Sequence, residues 1–164
     1  MVFAVMGIAL TAIAPLWHQA QQREKERELI FVGQQYIRAI RQYYESSPGG
    51  AKQYPPTINA LILDDRQLAI RRYLRHPYRD PLTNTDKWGF VLAPEGGIMG
   101  IYSLAPGTPI KQANFPAQLG WTDKMAAYSD WQFVYQPSPQ TTNQPTQPTP
   151  PPALQPGQPA PVPR

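Results

Sequence analysis

The densest group of side chains that could do chemistry is a segment near the middle of the chain, RQLAIRRYLRHPYR, with five arginines and no acidic residue. Arginines interleaved with Tyr73 and Tyr78 could hold a phosphate backbone and stack on the bases of a single strand. The candidate patch for an anionic partner consists of Arg71, Arg72, Arg75 and Arg79. Because four aspartates flank the segment and reduce its positive field, we favour pairing with a neighbouring subunit, or simple solvation, over nucleic-acid binding.

The residue types that catalysis or metal binding requires form no recognisable constellation. There is no cysteine, no glycine-rich phosphate loop and no GxSxG sequence, and the two histidines lie far apart without an acidic partner. Two aspartate pairs, Asp64 with Asp65 and Asp123 with Asp130, are interpreted as turn caps, because calcium needs several convergent oxygen ligands. We therefore predict a non-enzymatic protein with no catalytic residue, no metal and no cofactor.

The first residues of the chain, Met1 to Trp17, contain no charged side chain. A helix of this length rises roughly 25 Å, slightly less than a hydrocarbon core of about 30 Å. A cleaved signal peptide would begin with basic residues, and a buried helix of a soluble domain would show one polar face. We therefore favour a membrane-inserted helix segment over residues 1–22, with Gly7, Pro15 and Trp17 as its characteristic residues.

Further along the same helix, a charged run is followed by an amphipathic stripe. Residues 23–28, REKERE, place opposite charges three residues apart, which predicts a solvated helical face. From Leu29 onward, apolar residues recur at steps of three and four, so this face must lie on an apolar surface. The predicted helix-to-sheet core residues are Ile30, Ile37, Ile40 and Tyr44. The sequence SSPGG then ends the helix, whose amphipathic part we place at 23–46.

The chain between this helix and residue 136 predicts a small sheet. A short helix is expected at 57–64, followed by one more helical turn at 68–74. Strands are predicted at 88–93, 98–104 and 131–136. Three short strands need a cover for their apolar face, and the stripe of the long helix is the available one. The predicted fold class is therefore α+β, a long N-terminal helix packed on a three-stranded antiparallel sheet in a domain over 23–136.

The C-terminal segment, 137–164, is rich in proline and nearly free of large apolar residues. Such a composition cannot bury enough apolar surface to offset the entropy lost on ordering. We therefore predict a disordered proline-rich tail with local polyproline character.

These features together resemble type IV pilin-like proteins, in particular the major, G-type pseudopilins of type II secretion systems. The resemblance is carried by Gly7 and Pro15, by ELIFVGQQYIRAIRQYYESSPGG and YPPTINALILDD, and by DPLTNTDKWGF followed by GIMGIYSLAP. It implies a spindle-shaped subunit whose N-terminal helix lies in the bacterial inner membrane before assembly and in the core of a helical filament afterwards. The sheet would cover the second half of the helix in the periplasm, and a cytoplasmic ATPase of the machine would drive assembly.

Two parts of the family pattern are missing. The family begins with a basic leader, a Gly-Phe cleavage site and an early glutamate, so we expect Met1 to align several residues inside the mature helix. Major pseudopilins hold calcium in a loop after their Tyr-Ser-Leu segment, whereas the corresponding residues 103–108, SLAPGT, contain no acid. We therefore expect no calcium to bind by that route.

The sequence and its resemblance thus predict a structural subunit of a secretion or pilus-like filament. It would be a single-pass inner-membrane protein with a periplasmic domain, and its partners would be other pseudopilins and the membrane. The alternative is a membrane-anchored, minor pilin-like binding module that captures DNA or another anionic polymer through the arginine patch.

Overall fold

The computed structural model describes residues 13–67, 69–121 and 125–137. Its longest element is α1 (Ile13–Glu45), which passes without interruption through both the charged run and the apolar stripe. The predicted α+β fold is confirmed, because this one helix packs on a three-stranded antiparallel sheet.

The predicted membrane segment overlaps the start of α1. Gly7 lies outside the described residues, and Pro15 falls within α1. Trp17 is the first residue whose side chain is described, and it is 69% exposed. Within the described part of the chain, no helix is both long enough and apolar enough to cross a membrane.

The remaining elements are shorter than predicted. They are α2 (Asn59–Ile62), β1 (Gly89–Leu92), β2 (Ile98–Tyr102) and β3 (Phe133–Val134), with 3-10 turns at Pro48–Gly50, Ala117–Leu119 and Tyr128–Asp130. The long helix ends one residue before the predicted 46, and α2 covers only the middle of the predicted 57–64. The strands lose predicted residues at one or both ends, although β2 keeps its predicted start and Tyr135 N, just beyond β3, still donates to Met99 O at 2.9 Å. The predicted third strand shrinks most, to the two residues that pair with β2.

The helical turn predicted at 68–74 is wrong. Leu68 lies outside the described residues, and the rest of this segment is irregular. Arg71 instead forms an isolated antiparallel bridge with Asp64, in which Asp64 N donates to Arg71 O at 2.9 Å and Arg71 N donates to Asp64 O at 3.3 Å. These bonds to a residue seven positions earlier replace the bonds between residues four apart that a helix needs, so the bridge overrides the helical pattern.

The sheet has the order β1-β2-β3, with every pair antiparallel. The central strand aligns Ile101 with Phe90 of β1 on one side and with Phe133 of β3 on the other. The sequence PEGG forms the hairpin between β1 and β2, and Gly96 and Gly97 have φ angles of 90° and 85°. These left-handed values favour glycine, which explains why this sequence makes the turn.

The apolar stripe of α1 lies on β2 and β3, as predicted. Of the predicted core residues, Ile30 and Ile40 are buried, Ile37 is half-buried and packs against the core, and Tyr44 is half-buried outside the core cluster. Ile37 follows the buried Tyr36, and Tyr44 follows the buried Tyr43. One step along a helix turns the side chain by about 100° around the axis, away from the centre of the buried face. The fully buried centre contains Leu29, Tyr36, Ala39, Ile40, Leu61, Ile101, Trp131 and Phe133.

Gly33 allows β3 to approach the helix closely. A Cβ atom at this position would overlap the ring of Phe133, which is fully buried. Any larger residue would therefore push the strand away from α1, because the core is close-packed at this point.

Candidate functional site: side-chain clusters beside the long helix

The four arginines of the candidate patch are all exposed, but their surroundings differ. Arg79 is paired with Asp86 across 3.1 Å, Nε to Oδ1. Arg71 and Arg72 border a shallow depression at the C-terminal end of α1 whose lining includes neither Arg75 nor Arg79. Arg71, Arg72 and Arg75 therefore form no ion pair with a described residue, whereas Asp86 neutralises the charge of Arg79.

The tyrosines of the arginine segment are engaged inside the protein. The hydroxyl of Tyr73 donates to Asp64 Oδ2 at 2.9 Å. The ring of Tyr78 packs edge-on against Tyr36, with 6.1 Å between centroids, and lies 4.6 Å from the ring of His76. Both tyrosines are half-buried against the core, so they do not form the open stacking platform that a single strand of nucleic acid would need.

Arg66, the first arginine of the segment and the one outside the candidate patch, binds the C-terminal end of α1. Its Nε and Nη2 donate to Oδ1 and Oδ2 of Asp64, each at 2.8 Å. The guanidinium lies 3.5 Å from the ring centre of Tyr43, and it donates to the Tyr43 carbonyl at 3.1 Å. Lys52 Nζ donates to the carbonyl of Glu45 at 2.6 Å. Two cations therefore satisfy carbonyls that the helix leaves unpaired, where the helix dipole favours positive charge.

The Asp64–Arg66 pair makes folding sensitive to acid. The guanidinium of Arg66 lowers the pKa of Asp64 from 3.8 to about 2, against the opposing effect of burial. Because the folded-state pKa is the lower one, the stabilisation is complete above about pH 5 and disappears as the pH falls toward about 2. We expect Asp64→Asn to reduce the free energy of unfolding by about 2 kcal/mol at neutral pH, and by much less near pH 2.

Urea unfolding of the parent and the variant at about pH 7, pH 4 and pH 2.5 measures this difference. The exposed neighbour Asp65 provides the control, because Asp65→Asn removes the same charge without breaking the pair. If Asp64→Asn lowered the free energy of unfolding by the same amount at all three pH values, the ion pair would not be the source of the stabilisation.

The segments that carry the family resemblance meet in the interior of the domain. Asp80 and Ser103 are both fully buried, and Ser103 Oγ donates to Asp80 Oδ2 at 2.7 Å. The other carboxylate oxygen of Asp80 accepts from Leu82 N at 2.9 Å. Trp88 Nε1 donates to the carbonyl of Tyr78 at 2.9 Å. The Asp-Pro, Trp-Gly and Tyr-Ser-Leu sequences are thus held together at the end of β2.

Tyr36 connects this cluster to the long helix. Its hydroxyl accepts from Tyr78 N at 3.0 Å, and its ring lies 5.6 Å from the ring of Trp88. Burial raises the pKa of Tyr36, so the hydroxyl stays protonated and neutral inside the core.

Glu26 is a buried carboxylate that the sequence analysis assigned to a solvated face. That assignment holds for Glu24 and Arg27, which are exposed and paired at 3.0 Å, but Glu26 is only 1% exposed. Its Oε1 accepts from Ile110 N at 2.7 Å, and its Oε2 accepts from Lys111 N at 3.0 Å. Glu26 therefore binds the backbone of the long connection between β2 and β3.

The Tyr128 hydroxyl donates a third hydrogen bond to the Glu26 carboxylate. Tyr128 donates to Oε1 at 2.8 Å, and Gln22 Nε2 donates to the Tyr128 hydroxyl at 2.7 Å. Burial raises the pKa of Tyr128 to about 12, and the hydrogen bond to Glu26 acts in the same direction. The signal for this cluster was present in the sequence, because Glu26 precedes Leu29 and Ile30 by three and four residues and so continues the buried stripe.

A cavity of about 590 Å³ opens beside Glu26, between α1 and the β2–β3 connection. Its charged lining includes Arg23, Arg27 and Lys111, with no histidine or hydroxyl-bearing residue. The Glu26 carboxylate already accepts three hydrogen bonds, so its role here is to hold the chain and not to act as a free general base.

The remaining chemically useful residues are scattered. His18 and His76 are exposed on different elements, and Asp130 Oδ2 accepts from Ala126 N and Ala127 N, which confirms its role as a turn cap. Asp123 lies outside the described residues. Among the residues that the structure describes, no three histidine or acidic side chains are grouped so that they could hold a metal ion.

Scans with protein-family models and searches of curated proteins and solved structures find no match to this chain.

Proposed function

We propose that this chain is a non-enzymatic structural subunit of a type II secretion or type IV pilus-like filament, a pseudopilin of the major, G-like type. The observation that carries the proposal is a 33-residue helix of which only the later part is covered by a three-stranded sheet. Among the side chains of this helix that the structure describes, from Trp17 onward, the buried ones begin at Glu26, and every residue from Trp17 to Gln21 is exposed. A helix arranged in this way leaves its first part available to other helices or to lipid.

The buried polar contacts between the motif segments support the same assignment. In major pseudopilins, Asp-Pro, Trp-Gly and Tyr-Ser-Leu sequences lead in this order from the helical half into the small sheet. Here the Asp80–Ser103 hydrogen bond joins the first of these segments to the last. This contact shows that the two segments lie together in the interior of the domain.

The proposal places the domain in the periplasm and the N-terminal helix in the inner membrane, with other pseudopilins as partners. Small residues in the N-terminal sequence would let neighbouring helices approach closely after assembly. These residues are Gly7, Ala9, Ala12 and Ala14. Subunit contacts, and not a bound cofactor or metal, would then perform the function.

The lack of cysteine in the chain allows a direct test of assembly through the helix. Trp17→Cys places a thiol on the exposed start of α1, and Glu95→Cys places one on the exposed β1–β2 turn. In membranes of cells that express the full chain with its secretion machinery, we expect Trp17→Cys to form disulfide-linked dimers at least about tenfold faster, because packed helices hold their thiols at high effective concentration.

Equal cross-linking at the two positions would contradict assembly through the helix. Recovery of the full chain entirely in the soluble fraction would contradict the membrane-bound state. Either result would contradict the filament proposal without contradicting the fold of the domain.

A further inference from the structure

A groove of about 860 Å³ lies between the second half of α1 and β3, and we call it the α1–β3 groove. Its floor consists of half-buried apolar or aromatic side chains, Ile37, Tyr44, Leu119, Val134 and Tyr135. The rings of Tyr44 and Tyr135 lie 5.8 Å apart, and behind them the ring of Tyr54, outside the groove lining, is tilted against Tyr44 at 4.7 Å. The groove therefore presents two aromatic rings beside aliphatic side chains.

The rim of the α1–β3 groove is rich in hydrogen-bond donors. Its polar lining consists of three basic residues, one acidic residue and three glutamines: Arg38, Arg41, Lys52, Glu45, Gln34, Gln118 and Gln136. Arg41 is paired with Glu45 at 2.8 Å, whereas Arg38 has no ion pair with a described residue. A ligand that suits this groove offers carbonyl acceptors, an apolar surface and no positive charge.

The chain itself supplies such a ligand where it leaves the groove. Pro137 is part of the groove lining, and residues 138–164 follow it with no acidic residue and no basic residue before Arg164. Proline has no backbone N–H, and its fixed φ favours the polyproline II helix, which has no internal hydrogen bonds. Proline-rich segments consequently present many free carbonyl groups, and aromatic-lined grooves are their usual binding sites.

We propose that residues 145–152 of the same chain, PTQPTPPP, dock in the α1–β3 groove as a polyproline II segment. Pro145, Pro148 and Pro151 recur every three residues, which places them along one edge of a helix with three residues per turn. That edge would contact the tyrosine rings, and the carbonyls between the prolines would accept from the donors on the rim. The docking is independent of filament assembly.

The lengths of chain are compatible with docking inside one molecule. Residues 34–45 of α1, which border the groove, rise about 17 Å, and eight residues of polyproline II extend about 25 Å. The connection over residues 138–144 spans up to about 23 Å, enough to return the chain across the groove from Pro137. Because this connection is short, the segment has a high effective concentration at its own groove, which favours docking within one chain over docking on a second copy.

Disulfide formation between two introduced cysteines in the full chain tests this docking. Gln118→Cys places one thiol on the exposed rim of the groove, and Thr149→Cys places the other in the proline segment. The control pairs Thr149→Cys with Ala113→Cys, an exposed position on the same β2–β3 connection that lines the cavity beside Glu26. We expect the groove pair to close at least about tenfold faster than the control pair, in monomers and independently of protein concentration.

Substitution of Pro145, Pro148 and Pro151 by glycine tests the role of the polyproline conformation. These changes are expected to lower the rate of the groove pair to that of the control pair, because the edge that contacts the tyrosines is lost. Equal rates for the two pairs in the parent sequence would overturn the proposal. Predominantly intermolecular disulfides would overturn docking within one chain, and an unchanged rate in the glycine variant would overturn recognition of the polyproline segment.

Discussion

Replacement of Ile40 by aspartate is expected to unfold the globular part of the chain. Ile40 is 0% exposed at the centre of the face by which α1 lies on the sheet. The substitution removes a buried aliphatic side chain and places a carboxylate in its position, at a cost of about 5 kcal/mol or more. This cost is comparable to the whole stability of a domain of this size. Circular dichroism of the full chain should show no cooperative thermal transition.

Phe31 provides the matched control for this prediction. It lies on the same helix and is also a large apolar residue, but it is 55% exposed. Phe31→Asp introduces the same charge into α1 without opening the core, so we expect a change of about 0.5 kcal/mol or less. If Ile40→Asp retained the melting temperature of the parent chain, the packing of the helix on the sheet would be contradicted.

Replacement of Glu26 by leucine is expected to release the β2–β3 connection from the helix. The change leaves the N–H groups of Ile110 and Lys111 and the hydroxyl of Tyr128 without their acceptor. Buried donors that lose a partner cost about 1 to 3 kcal/mol each, although relaxation toward water recovers part of this cost. We expect the free energy of unfolding to fall by about 3 kcal/mol, and the melting temperature by about 10 °C.

Hydrogen exchange measures the local part of this effect. The amides of Ile110 and Lys111 should exchange much faster in Glu26→Leu, whereas amides in the middle of α1 should change only with global stability. Glu28→Leu is the control, because Glu28 is exposed and the substitution alters net charge in the same way. Equal destabilisation by the two substitutions would mean that the buried hydrogen bonds of Glu26 contribute nothing specific.

The features that local pattern predicted well are those that depend on neighbours in the sequence. Apolar residues recur at steps of three and four through Ile30 and Ile40, and this spacing predicted which face of α1 is buried. A helix brings residues at such steps onto one side. The sequence PEGG predicted the hairpin, because glycine adopts positive φ without strain. The fold class followed, since a short sheet with one apolar face needs a helix to cover it.

The errors arose where a residue depends on a partner far along the chain. Glu26 looked like one of six solvated charges, yet its partners are Ile110, Lys111 and Tyr128, more than 80 positions away. Arg66 belongs to the arginine-rich segment, but its guanidinium also donates to the carbonyl of Tyr43, 23 positions earlier in the last turn of α1.

The sequence by itself determined the long amphipathic helix, the turn between β1 and β2 and the identity of the buried stripe, because each is a short-range consequence of side-chain spacing and backbone preference. Only the tertiary structure decided which charged and polar groups are buried, since burial of a polar group depends on whether a complementary donor or acceptor lies opposite it. Asp80 and Ser103 illustrate this: neither residue type favours the interior, but each supplies the hydrogen-bond partner that makes burial of the other possible.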